Sequence, residues 1–383
     1  MPNHVLDHLP LQVILEGRLF EEQSIGGISR IYHEILPRIS SMDERIFFSI
    51  LTSGSLMQPL PQHPQIVSYS SRFEVHRLFR PQAIFWQLQD YLRAKFEIAL
   101  TQFTKNAIWH ATYFQIPDWW QGPKVTTVYD LIHEKLPHLF NKNYDNILRK
   151  RKKHAILAAD KVICISESVR ADVIEMYSLS PERVIAIPLA RSDIFRQMSK
   201  EEIPTNFHVD GPFILYVGTR HAYKNFKTLL SAYAVWLRRN EIKLLVVGQP
   251  WSKEEQQEIA AAGLEPNIIC RSGVTDEELC TLYNQALAFV YPSLSEGFGI
   301  PLLEAMACGC QIVASRISTS MEVAWDVPYY FDPLNKDELI ATLEAACFSE
   351  KLIGRRDDIL ANYSWDRNAR ATLEIYKELA LGI

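Results

Sequence analysis

The sequence predicts an α/β fold built as two similar domains. Three observations predict it. A chain of 383 residues is too long for one ordinary hydrophobic core. Short apolar runs alternate with helical stretches along most of its length, the pattern of parallel βαβ units. The rhythm stops between Pro188 and Pro204 and restarts after Asp210-Gly211-Pro212. A first domain is therefore expected over residues 1–193 and a second over 194–364, with a last amphipathic helix from Trp365 onward.

Bulk properties exclude several classes. With 48% hydrophobic and 22% charged residues, the chain reads as an ordinary globular protein. A formal net charge of −5 gives no general case for nucleic-acid binding. No apolar run is long enough to predict a transmembrane helix, and residues 1–8 lack a signal-peptide pattern, so a cytoplasmic location is expected. The cysteines are Cys164, Cys270, Cys280, Cys308, Cys310 and Cys347, with no C-x-x-C pair. They read as buried thiols in a reducing compartment, not as a disulfide frame or a zinc site.

In the first half, Leu11 to Gly17 reads as a strand, and Gly26-Gly27 then precedes a segment with apolar residues at 28, 31, 35 and 39. Strand, glycine pair and helix form an anion-binding geometry or a plain tight turn. Strands are predicted over 45–51, 66–69, 107–114, 125–130, 161–166 and 183–188, and helices over 81–100 and 167–177. In open α/β sheets ligands sit beyond the carboxyl ends of the strands, and His110, Asp130 and Ser166 lie at or near such ends. A satisfied structural histidine and a helix cap are the plainer readings of His110 and Asp130. Arg149-Lys150-Arg151-Lys152-Lys153-His154 is a basic cluster, and Trp119-Trp120 follows Pro117. Together they suit an anionic membrane surface or a pyrophosphate-linked lipid, or else a solvated helix face and a loop anchor.

In the second half, the strand Phe213 to Gly218 is followed by a loop carrying Arg220 and Lys224, and by a helix expected over 226–239. Two cations above a helix start suit a diphosphate. Strands follow over 243–249 and 267–270. Thr275 and Glu278 fit a capping box, so those acids need no functional role. The strand Ala288 to Tyr291 leads into Pro292 to Gly309, which holds Glu296, Gly297, Gly299, Pro301 and Glu304. Pro301 suits the first helical turn, because its missing N–H has no partner there anyway. Free N–H groups at that helix start attract anions, and the carboxylates accept from ligand hydroxyls, a combination that suits a sugar joined to a phosphate. No G-x-G-x-x-G follows the first strand of either half and no Walker motif appears.

These blocks resemble the nucleotide-sugar domain of retaining glycosyltransferases of the GT-B fold, family 4. The blocks are Tyr216 to Phe226, Ser272 to Leu279, Pro292 to Gly309 and Tyr330 to Pro333, the third carrying the family's E-x7-E pattern as Glu296 and Glu304. The first half is similar more loosely, through Gly26 to Arg30, His110 to Tyr113, Asp130 to Ile132 and Val162 to Glu167. The resemblance implies two Rossmann-like domains facing each other across a cleft, with the final helix crossing back to the first. It implies that Glu304 binds the ribose and Glu296 a hydroxyl of the donor sugar. Backbone around Gly297, Phe298, Gly299 and Ile300 would contact the sugar, and Pro301-Leu302 would face the diphosphate. Arg220 and Lys224 would neutralise that diphosphate, with Gly26, Gly27 and Gly218 approaching it. Val274 would lie near the base, His110 near the donor sugar and Asp130 near the acceptor hydroxyl. The sequence departs from the pattern at Tyr129, Gln249, Gln311 and Met321.

The expected reaction is transfer of a hexose from a nucleotide diphosphate sugar to a hydroxyl acceptor, with retention at the anomeric carbon. UDP-glucose is the first expectation for the donor and GDP-mannose the second. The expected acceptor is a glycan or a lipid-linked glycan, the basic cluster weakly favouring a growing repeat on a lipid carrier, with peripheral contact at the inner membrane face through Arg149 to Lys153. Neither cofactor nor divalent metal is expected. The alternatives are a sugar-nucleotide epimerase of the same fold and a non-catalytic binder.

Overall fold

The computed structural model describes residues 10–22, 27–52, 56–70, 107–140, 142–204, 209–348 and 355–382, and of residues 142–145 the backbone. Gly26 and the helix predicted over 81–100 lie outside the described residues. The chain divides into two compact units. The first comprises residues 1–134, 141–189 and 365–383, and the second residues 135–140 and 190–364.

The first unit holds strands β1 (Leu11–Glu16), β2 (Ile46–Thr52), β3 (Ile66–Ser70), β4 (Ile108–Ala111), β5 (Lys124–Val128), β6 (Lys161–Cys164) and β7 (Val184–Ala186). They pair in the order β3-β2-β1-β4-β5-β6-β7, every pair parallel. The interior strands are hydrophobic almost without alternation, because helices cover both faces of a parallel sheet. Val13, Leu15, Phe48, Ile50 and Ile108 are fully buried.

Strand order reverses between β1 and β4, where Leu15 lies opposite His110. The helix Gly27–Met42 packs beside the final helix, Trp365–Leu381. That final helix buries Ala369, Leu373 and Tyr376 in this unit. Its rim is pinned by Lys161 to Glu378 at 2.6 Å and Arg38 to Asp366 at 3.0 Å, and Asn368 Nδ2 donates to the Pro188 carbonyl at 2.8 Å.

The second unit holds β8 (Phe213–Val217), β9 (Lys243–Val247), β10 (Ile268–Arg271), β11 (Ala288–Tyr291), β12 (Ile312–Ser315) and β13 (Tyr329–Phe331). They pair in the order β10-β9-β8-β11-β12-β13, all parallel. Here the order reverses between β8 and β11, with Leu215 opposite Phe289. Ile214, Leu244, Val290 and Val313 pack with Leu229, Leu339 and Leu343 in one buried core. Each such side chain contributes about 1.5–3 kcal/mol on leaving water.

Several elements are shorter than the sequence predicts, and two of them have a clear physical cause. β4 stops at Ala111, because the buried Glu16 carboxylate captures the next backbone donors: Oε2 accepts from Tyr113 N at 3.1 Å and Gln115 N at 2.9 Å. The helix expected over 226–239 ends at Val235. Trp236 turns to an extended conformation, buries its ring and donates from Nε1 to Glu344 at 2.9 Å.

Candidate active site

The carboxyl ends of β8 and β11 flank the point where strand order reverses in the second unit, the usual ligand position in such a sheet. The loop after β11 leads to the helix Ile300–Ala307, in which Pro301 lies in the first turn. Gly299, at φ +118°, precedes it in a conformation that disfavours side chains. A Cβ there would stand 3.1 Å from Leu302 Cδ1. Phe298 is buried, edge-on to Tyr363 at 5.6 Å between ring centroids, and Leu302 is fully buried. These two side chains belong to the core, so what they offer a ligand is backbone.

The structure brings Lys224 and Glu296 together. Lys224 Nζ donates to Glu296 Oε1 at 2.7 Å, and the ammonium lies 5.9 Å from the Tyr291 ring centroid. The lysine closes a 3₁₀ turn, Ala222–Lys224, and Asn225 follows at φ +56°. Asparagine tolerates that left-handed conformation better than most residues. Its Nδ2 donates to the Pro292 carbonyl at 3.0 Å and the Pro333 carbonyl at 2.8 Å, while its Oδ1 accepts from Thr228. The lysine turn and the glutamate loop are thus tied by one side chain.

Arg220 is not the open cation the sequence predicts. Its Nε donates to Glu255 Oε1 at 2.6 Å and its Nη2 to Glu255 Oε2 at 2.9 Å. The guanidinium also donates to the carbonyls of Gln249 and Pro250 and stacks 4.5 Å from the Trp251 ring centroid. Glu255 closes the capping box of the helix Lys253–Ala261, accepting from Ser252 N at 2.8 Å. A bidentate carboxylate and two carbonyls match the planar donor fork of arginine, so the guanidinium is engaged by protein groups. Gly218, at φ +134° after β8, has open space where a Cβ would be. Val274 is half-buried beside Gly273, which has φ +69°.

Glu304 lies on the Ile300–Ala307 helix and is only 5% exposed. Its Oε2 accepts from the Tyr283 hydroxyl at 3.3 Å. Burial raises the Tyr283 phenol well above its usual range, with the Glu304 charge adding to the shift, so the hydroxyl is a donor at neutral pH.

In the first unit, Gly27 opens the helix Gly27–Met42 with open space where a Cβ would be. His110 is not poised at a surface. It is 1% exposed, with Nδ1 2.6 Å from the Tyr376 hydroxyl and Nε2 2.8 Å from Thr127 Oγ1. Burial pushes its pKa down to about 3, so the ring is neutral. Both ring nitrogens are thus engaged by side chains of this unit, the arrangement of a satisfied structural histidine.

Asp130 follows β5, and its Oδ1 caps Ile132 N at 3.1 Å. Its side chain is 27% exposed, and Lys152 Nζ approaches Oδ1 to 3.6 Å. The same ammonium donates to the Asp130 carbonyl and to Glu134 Oε2, each at 3.0 Å. Lys152 is 2% exposed, so it is a buried ion-pair partner and not part of a solvated basic face. Of the expected cluster, Lys150, Arg151 and Lys153 are exposed. The tryptophan pair is a loop anchor. Trp120 is buried, and both rings pack on Trp109, with centroids 6.1 Å and 5.6 Å away.

Among the described residues no three His, Cys, Asp or Glu side chains are grouped to hold a metal ion, and no helix is long and apolar enough to cross a membrane. Sequence reasoning missed Asn225, Glu255 and Tyr283. The Ser252-x-x-Glu255 spacing signals a helix start, but nothing in it signals the arginine that Glu255 also binds.

Comparison with known proteins places both halves. Residues 198–356 match the family described as glycosyl transferases group 1, and residues 25–190 match the family described as glycosyltransferase family 4. The O-antigen chain mannosyltransferase B of Escherichia coli is 26% identical over 93% of this chain and 97% of its own length. The serotype-specific mannosyltransferase WbdA of Escherichia coli is 30% identical over 58% of this chain, a match spanning 29% of that longer protein. Among solved structures, the sucrose-phosphate synthase of Thermosynechococcus elongatus shares the fold with a TM-score of 0.78 at 16% identity, covering 97% of this chain and 100% of that one.

Proposed function

We propose the reaction from one premise, that this chain belongs to the group 1 glycosyltransferases of family 4: it transfers mannose from a nucleotide diphosphate sugar to a hydroxyl of a growing surface polysaccharide. The Lys224–Glu296 pair, set where strand order reverses and with Glu296 on the loop that leads into the helix carrying Glu304, is the observation that carries the reading. The mannosyltransferase relatives support mannose, so GDP-mannose moves ahead of UDP-glucose as the donor.

Glu304 takes the ribose hydroxyls and Glu296 a hydroxyl of the sugar. Backbone at Gly297, Phe298, Gly299 and Ile300 contacts the sugar, the helix start at Pro301 and Leu302 faces the diphosphate, and Val274 lies near the base. Lys224 carries the charge of the leaving diphosphate, with Gly218 and Gly27 giving close backbone approach. Arg220 acts through the loops it holds and not by direct contact. Preorganised charge aimed at a leaving group is the largest expected catalytic contribution.

Transfer proceeds with retention by same-face attack. The bond from the anomeric carbon to the diphosphate oxygen breaks, the acceptor oxygen bonds to that carbon on the same face, and the acceptor proton passes to the departing phosphate. Asp130 orients the acceptor hydroxyl. Lys224 meets the charge requirement without a divalent ion in this scheme. An acceptor on an anionic lipid would meet Lys150, Arg151 and Lys153.

The test incubates the protein with GDP-mannose and an α-mannosyl oligosaccharide. GDP release with a new α-linked mannose, read by NMR, supports the reading. A β-linked product defeats retention. Conversion of GDP-mannose to an epimer without transfer defeats the transferase reading.

A further inference from the structure

One helix links the Gly273-Val274 loop to the surroundings of Glu304. The helix Asp276–Gln285 starts at Thr275, directly after the Gly273-Val274 loop, and its start is fixed by a complete capping box between Thr275 and Glu278. Near its end stands Tyr283, fully buried. Its ring is held edge-on by Phe289 at 5.3 Å and by Phe195 at 6.0 Å between centroids. Its hydroxyl reaches Glu304 Oε2 at 3.3 Å. One turn earlier on the same helix, Cys280 Sγ lies 3.7 Å from Cys308 Sγ, one turn beyond Glu304 on the partner helix. Two side-chain contacts therefore join these helices, one at the glutamate itself and one a turn beyond it.

We propose that Tyr283 is a positioning residue for donor recognition, its hydroxyl fixing the Glu304 carboxylate in the orientation that receives the two ribose hydroxyls. An ionised carboxylate is acceptor-only and has about four lone-pair sites. Tyr283 takes one site on Oε2, so two ribose hydroxyls are received at other sites of the carboxylate. A glutamate has several side-chain torsions to freeze, and a partner that freezes them before the ligand arrives removes part of the ordering cost of binding. The tyrosine suits this task because its own ring is locked by two aromatic neighbours. The inference rests on the assignment of Glu304 to the ribose.

Calorimetry with GDP and with 2′,3′-dideoxy-GDP tests it. Tyr283→Phe keeps the ring and its packing and removes only the donor. The variant is expected to bind GDP about tenfold more weakly, the loss of one hydrogen bond to a charged group. The native protein and the variant are expected to bind 2′,3′-dideoxy-GDP within about twofold of each other, because the ribose donors that Tyr283 serves are gone. Equal GDP affinity for both proteins overturns the inference, as does the same loss for both ligands, which marks a merely structural role. Native protein that binds GDP and its dideoxy form equally overturns the ribose assignment itself. Native protein that binds neither GDP nor UDP overturns the donor reading. Thermal melting checks folding, and if Tyr283→Phe does not fold, Tyr283→Met is compared through the same ratio.

Discussion

Lys224 Nζ and Glu296 Oε1 are 2.7 Å apart, so the cation assigned to the diphosphate and the carboxylate assigned to the sugar are already hydrogen-bonded to each other. A donor entering there exchanges one partner of each group for a ligand atom. Replacing Lys224 by Met is expected to lower kcat by about 10²-fold, as loss of one preorganised donor to a developing anion does elsewhere. Steady-state transfer kinetics measure it, and a variant within threefold of native would remove Lys224 from the chemistry.

Arg220 makes the opposite prediction. With its guanidinium on Glu255 and two carbonyls, Arg220→Met should cost about 2 kcal/mol of stability, the cost of leaving those acceptors unmatched. Denaturant unfolding reports that loss. If the variant unfolds like the native protein but has lost turnover, Arg220 touches the donor after all.

Lys152 is buried between Glu134 and Asp130, and removing one member of a buried pair leaves an uncompensated charge. Lys152→Met is expected to destabilise the protein by about 3–5 kcal/mol. Adding Glu134→Leu should recover much of it. No recovery in the double variant would show that the lysine acts through something other than this pair.

His110 gives stability a pH dependence. Its native pKa of about 3 lies below the ordinary 6.5, so between those values the unfolded chain binds more protons than the native one. Its contribution is complete above pH 6.5 and falls as pH drops toward 3, by up to about 1.4 kcal/mol per pH unit. Unfolding at pH 7.5 and 5.5 should show a shallower slope for His110→Gln than for the native protein, and equal slopes would count against the buried neutral ring.

Gly299 is the backbone position that substitution strains most directly at the site. Gly299→Ala at φ +118° is expected to cost about 1–3 kcal/mol and to weaken donor binding by displacing the loop that carries Glu296. Calorimetry with GDP-mannose on a folded variant decides it, and unchanged affinity would show that the loop absorbs the methyl group.

The two-unit α/β organisation and the loop–helix of Glu296 and Glu304 were legible in the sequence because they rest on periodicity, proline and glycine placement and spacing. Tyr283 was not, because it meets Glu304 across two helices, and helical spacing marks a buried ring without saying what its hydroxyl meets. Arg220's partner was not legible, because residues next to a loop show a charge but not what it meets, and Glu255 sits in the first turn of the helix after the following strand. Lys152 was hidden inside a run of basic residues. Helical period alone turns one member of such a run inward, and only the acids it meets show which one.

The Tyr376–His110 contact has a consequence for the order of folding. The first unit needs Trp365–Leu381 to finish its interior, yet that helix leaves the ribosome only after all of residues 190–364. Domains usually fold as they emerge, the earlier one first. Here the second unit, nearly continuous in the chain, has everything it needs sooner. During synthesis the earlier half must wait with His110 unpartnered on that side, exposed to chaperones and proteases, until the closing helix arrives.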